Sequence, residues 1–161
     1  MLYQIFLWIH TISYISWLIA FAVSVVFAVK IRNEQDAVQK RKYMRSERLA
    51  TSIGAHVGAL GILISGGFMA SAPRPGGWKW GWFNFQQHGW LATKQTIFII
   101  ILILVGFSIK RSIAFKKRLK QEDDNVLSTE TSQKWEKAYR LSLIVYLLVV
   151  VNTFLGLVRP F

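Results

Sequence analysis

The chain of 161 residues contains no cysteine, eight acidic residues against twenty lysines and arginines, and three prolines. Without cysteine there is no disulfide, no thiolate metal site and no iron–sulfur cluster. The acidic residues are confined as well as few: all eight fall within 30–48 and 110–140. The apolar stretches are therefore expected to carry no carboxylate. That excludes the Asp/Glu proton relay or cation site usual in pumps and transporters. Two of the prolines, Pro73 and Pro75, share one connector and the third is Pro160, so no proline falls within an apolar block.

The sequence is instead rich in apolar residues, at 53%, gathered in four blocks at about 3–29, 49–70, 89–109 and 138–158. Each block is near or above the ~18 residues that mark a membrane span. No length remains for a separate soluble domain, so 1–161 reads as one four-span domain. In lipid every backbone group needs an internal partner, so the spans should be helices. The expected fold is all-α, an integral membrane up-and-down four-helix bundle. The opening MLYQIFLWIH has no basic n-region, and its apolar run is too long for a cleaved signal peptide. It reads as a retained span.

A net charge of +12 would suit nucleic acid, but its placement points to a membrane. Seven Lys or Arg lie in 30–48 and nine in 110–140, whereas the 71–88 connector has only Arg74 and Lys79. The positive-inside rule puts both basic connectors in the cytoplasm and both termini outside. Their partner is then membrane lipid rather than nucleic acid. VQKRKYMRSERLA has a basic amphipathic pattern that suits a helical extension, and Ser128 or Thr129 suits the cap of the fourth span. The outer connector SAPRPGGWKWGWFNFQQHGW cannot be one continuous helix. Its Trp78, Trp80, Trp82, Phe83 and Phe85 form either an aromatic belt or a lid over an outward-facing pocket. His88, in the same aqueous connector, has no evident role.

Few polar residues enter the spans. At ~1.5 Å per residue, His10 lies roughly 10 Å, Lys94 roughly 8 Å and Asn152 roughly 9 Å below the outer ends of their segments. Three polar side chains from three helices thus fall at one level. Ser13, Tyr14 and Trp17 follow His10 at helical spacing and share its face, which should look into the bundle. His56 lies nearer the cytoplasmic end of span two, deeper than His10 by roughly 10 Å. Gly54, Gly58 and Gly61 form a small-residue strip suited to a close helix contact. His56 stands on the opposite face from Gly54 and Gly58, at about 200°. Intramembrane histidines serve either as interhelical hydrogen-bonding contacts or as axial ligands of b-type haem. Lys94 either snorkels outward or meets the carboxylates of a porphyrin. Copper handling is poorly supported, because Met1, Met44 and Met69 form no cluster of soft ligands.

HTISYISWL (His10 to Leu18), the Trp90–Lys94 pair opening span three and the terminal Arg159-Pro160-Phe161 together resemble the HemJ-type protoporphyrinogen oxidases. Those are four-helix membrane proteins related more broadly to CopD-like proteins. The resemblance implies a haem b cofactor, with His10 and Lys94 as an essential pair in a bacterial cytoplasmic membrane. It also implies oxidation of protoporphyrinogen IX, with electrons passed to quinone. Within that expectation His10 is the axial ligand, with His56 as a candidate second one. Tyr14 and Asn152 complete the cofactor-binding set. The alternative expectation is a non-catalytic subunit or scaffold, in a homo-oligomer or larger membrane complex, associating through the glycine strip. A CopD-like copper importer ranks last.

Overall fold

The computed structural model describes residues 2–72, 81–123 and 126–158. The expectations placed on Trp78, Trp80 and the Arg159-Pro160-Phe161 segment lie outside the described residues. The described residues form four helices: α1 (Leu2–Asn33), α2 (Ala37–Ser71), α3 (Gly89–Gln121) and α4 (Thr129–Val158). Each is long and apolar enough to cross a membrane.

At the basic end the helices run well past the apolar blocks. Only residues 34–36 separate α1 from α2, because Asp36 caps the new helix by accepting from the Val38 and Gln39 amides. Ser128 caps α4 in the same way, its hydroxyl oxygen accepting from the Thr131 amide at 3.1 Å. The guanidinium of Arg41, almost fully buried, donates to the carbonyls of Leu119, Glu122, Asp123 and Val126. It thereby satisfies the last carbonyls of α3 and ties α2 to that helix's end.

The order of contacts is that of an antiparallel up-and-down bundle. Ala20 meets Gly54, Trp17 meets Gly58, Ser13 meets Gly61, and Phe6 stacks on Phe68 with ring centroids 3.8 Å apart. A side chain at Gly54, Gly58 or Gly61 would strike α1, so the glycine strip is what lets α1 and α2 pack tightly. This corrects the expectation that the strip serves association with another chain: it is used within the bundle. α3 pairs with α4 next most extensively, whereas α1 with α4 and α2 with α3 meet over much less of their length. The core divides into two apolar clusters. One is built on Tyr14, Trp17, Ile101 and Val149, the other on Ile31, Met44, Phe115 and Trp135 nearer the basic end. The outside is apolar too, with Ile12, Leu60, Ile103 and Phe154 more than half exposed, the inverse of a water-soluble bundle.

Between the two clusters lies a polar centre built on residues that the sequence reading left in the basic connector 30–48, outside the apolar block 49–70. Glu47 and Arg48 sit inside α2 and are both 0% exposed. The Arg48 Nε donates to Glu47 Oε2 at 2.5 Å and Nη2 to Oε1 at 2.6 Å, a two-pronged pair between adjacent residues. Glu47 also accepts from Ser24 at 2.6 Å, Thr51 at 2.9 Å and the Trp135 indole at 3.1 Å. Arg48 Nη1 reaches the hydroxyls of Ser142 at 3.2 Å and Ser112 at 3.5 Å. All four helices contribute. A charge is tolerated at this depth because its opposite lies beside it and the remaining lone pairs and protons are bonded.

Candidate functional site

At the end where α1 begins and α4 finishes, the helices enclose a cavity of about 410 Å³. That is within the ~300–1,000 Å³ of small-molecule sites. His10 and Tyr14 line it from α1, Lys94 from α3 and Asn152 from α4, so these four expected residues share one chamber. The sequence placed them at one level; the antiparallel packing turns their faces toward each other. Ile62, Phe98 and Leu102 make up much of the rest of the wall, and Trp82, Phe83 and Trp90 bring aromatic surface.

His10 is fixed by α2. Its Nδ1 lies 2.9 Å from Ser65 Oγ, and Ser65 is itself completely buried. The Ser65 hydroxyl donates back to the Gly61 carbonyl, with that of Ile62 also within 3.4 Å. Because the serine proton is engaged there, its oxygen accepts from Nδ1–H. The neutral ring then carries its lone pair on Nε2. Nε2 has no hydrogen-bond partner among the described residues. Gly66 makes room for the ring, since a Cβ there would stand 3.3 Å from His10 Cε1. Tyr14 meets the imidazole edge-on, with centroids 5.0 Å apart.

Lys94 reaches across the same chamber. Its ammonium lies 5.3 Å from the centroid of the Tyr14 ring, a cation–π distance. It occupies a notch at Gly156, where any side chain would collide with Nζ. Asn152, 1% exposed, donates through Nδ2 to Tyr14 Oη at 3.2 Å. Its Oδ1 is buried with no hydrogen-bond partner among the described residues. The chamber therefore offers an imidazole lone pair, an ammonium and an unsatisfied amide oxygen within mostly apolar walls. An unpaired buried polar oxygen costs about 1–3 kcal/mol, which a ligand with a donor would recover.

His56 is elsewhere. It lines a second, much smaller cavity with Thr51, Ser52, Ser108, Ser112, Ser142 and Tyr146, beside the Glu47–Arg48 centre. The structure does not bring the two histidines into one site. Residues whose roles the sequence did not show are Ser65, Gly66 and Gly156, which orient or make space for His10 and Lys94, together with Gln95. The carboxamide oxygen of Gln95 accepts from the Phe83 amide at 2.7 Å, and its nitrogen donates to the Gly81 carbonyl at 3.3 Å. Ser65 lies one helical turn beyond Gly61 and could have been noticed as a polar continuation of the glycine strip. Nothing in the sequence marks Gly156 except its spacing of one turn from Asn152.

No protein-family model matches the chain, and no curated protein and no solved structure is similar to it.

Proposed function

We propose that this chain is a membrane redox protein that binds a haem b or a porphyrin in the 410 Å³ chamber, as the HemJ-type resemblance implies. The observation that carries the reading is the state of His10. With Nδ1–H held by buried Ser65, Nε2 is left as a ligand nitrogen on an oriented ring, as in metal-binding histidines whose other ring nitrogen donates to a protein oxygen. The rest of the chamber suits the same group. Phe98, Leu102 and Ile62 offer flat apolar contact to a macrocycle, and Lys94 stands where a ring-edge carboxylate can be neutralised. The Asn152 oxygen accepts from a pyrrole N–H of a metal-free porphyrin or from a bound water. A bound haem would supply reversible one-electron chemistry to the oxidation of a porphyrinogen or to electron transfer toward quinone.

Because His56 lines the other cavity, this reading assigns the axial role to His10 alone. The basic end faces the cytoplasm, since the Lys/Arg-rich connectors 30–48 and 110–140 both lie there. The chamber then lies in the outer leaflet. Copper transport has less support, as the described residues contain no cluster of three or more His, Cys, Asp or Glu side chains.

The test is optical. Purified detergent-solubilised protein, as isolated or after haem addition, should show a Soret band that shifts and sharpens on dithionite reduction. His10→Ala should abolish that shift while leaving the melting temperature close to wild type. A colourless protein that takes up neither haem nor protoporphyrin ends this reading.

A further inference from the structure

The chamber is closed differently toward its end and toward its side. Across the end lies the strap 81–88. Trp82 and Phe83 line the chamber from above. The Trp82 indole donates to Ser71 at 3.0 Å, and its ring edge packs over Gly67. Gln95 binds both sides of the turn, at Gly81 and Phe83. Both residues have left-handed backbones, with φ of 74° and 50°. That conformation is natural for glycine, but phenylalanine keeps it only where its surroundings hold it. Removing the strap would break these bonds together.

Sideways the wall is different. Leu63 on α2 and Ile99 on α3 line the chamber, yet they are 44% and 45% exposed; Leu7, at 42%, does the same from α1, which the glycine strip holds tightly to α2. They belong at once to the interior and to the apolar outer face, where Leu60, Ile64 and Ile103 continue the surface. α2 and α3 meet over little of their length and are joined by Arg41 and Arg48 toward the basic end. Leu63 and Ile99 can change rotamer without breaking a hydrogen bond.

We infer that the chamber takes its ligand from the hydrocarbon of the bilayer, through the α2–α3 seam, and that the ligand is a lipid-soluble anionic amphiphile. Its apolar body passes Leu63 and Ile99, and its acidic group comes to rest at Lys94. The inference depends on the tetrapyrrole reading and adds the route and the need for an acidic group. An ammonium in a low-dielectric wall attracts a carboxylate more strongly than one in water does. The apolar seam lets the macrocycle arrive without crossing an aqueous phase.

The experiment uses the full chain in liposomes with protoporphyrin IX dissolved in the same bilayer. Loading is followed by quenching of tryptophan fluorescence. Leu63→Trp combined with Ile99→Trp should slow loading about tenfold by obstructing the seam, and Leu63→Ala with Ile99→Ala should speed it. The opposite signs separate a gate from general damage. Protoporphyrin dimethyl ester should bind about tenfold more weakly, the loss of one ion pair worth about 1.4 kcal/mol. The inference is overturned if both seam variants load at the wild-type rate while Gln95→Ala loads several-fold faster, because the strap would then be the door. It is overturned for the anionic class if the ester binds as tightly as the acid. Failure of wild type to take up any porphyrin in detergent defeats the tetrapyrrole reading itself, and the inference with it.

Discussion

The two halves of this bundle both bury polar groups, and they do so in opposite ways. Toward the basic end, Glu47 and Arg48 are completely enclosed, and their hydrogen bonds reach Ser24, Thr51, Ser112, Trp135 and Ser142. Toward the other end, His10 and Asn152 keep an unengaged nitrogen and oxygen beside a chamber large enough for a small molecule. A satisfied polar network fixes how helices meet. Polar atoms left unsatisfied around a void keep their capacity for something else. Polarity inside such a bundle is thus not by itself a sign of a site, nor is one unbonded atom, since Trp17 Nε1 is also buried without a partner among the described residues; unbonded polar atoms gathered around a void are the stronger sign.

The largest test of this contrast is at the satisfied end. Glu47→Gln leaves Arg48 as an uncompensated buried charge and should destabilise the protein by about 3–5 kcal/mol. Denaturation in detergent micelles would measure it. Replacing both partners together, Glu47→Met with Arg48→Leu, should be much milder, because no lone charge remains. If the single variant is as stable as wild type, the centre does not fix how the helices meet.

At the chamber end the same kind of change should matter far less to stability. Asn152→Leu gives up one bond to Tyr14 but also removes an oxygen that has no partner. The change in stability should stay within about 1 kcal/mol, while affinity for the proposed porphyrin ligand should fall. A loss comparable to that of Glu47→Gln would erase the distinction between the two halves.

The smallest effect concerns the rim of the basic end, where titration is accessible. Burial works against the charged form of Glu122, but the Ser128 and Thr131 hydroxyls and the Arg118 guanidinium outweigh it and hold the carboxyl below the usual range. A folded value lower than the unfolded one means that this contribution is complete above the ordinary carboxylate pKa of about 4.3. It disappears as the pH falls through the depressed value. Thermal melts from pH 7 to about 3 should lose stability on the acid side, and Glu122→Gln should flatten that limb. An unchanged acid limb in the variant would show that other groups dominate it.

Much of the fold was legible in the sequence because lipid removes alternatives. Four apolar blocks in a bilayer must be helices, and short connectors make them antiparallel. The stripe of His10, Ser13, Tyr14 and Trp17 was readable because a period of 3.6 residues puts them on one face. The structure buries Ser13, Tyr14 and Trp17 as that stripe requires. The level shared by His10, Lys94 and Asn152 was readable because helical rise is constant. Glu47 was misread for a clear reason. It lies among Arg45, Ser46 and Arg48, so a scan for apolar runs starts the span after it and leaves it in the basic connector, while the helix continues back to Ala37. His56 was correctly set on the face opposite the glycines. Its separation from His10 depended on which helices stand on that face.

The sequence by itself determined the number of helices, their antiparallel order and the faces that α1 and α2 present, since these follow from hydrophobic length, connector length and helical periodicity. Only the tertiary structure decided which polar groups would be consumed by partners and which would be left over. Ser65 against His10, Gly156 beneath Lys94 and Ser24 and Trp135 around Glu47 are pairings between helices far apart in the chain. Hydrogen bonding is short-ranged and directional, so composition cannot assign such partners. They are set when one helix packs against another at one register.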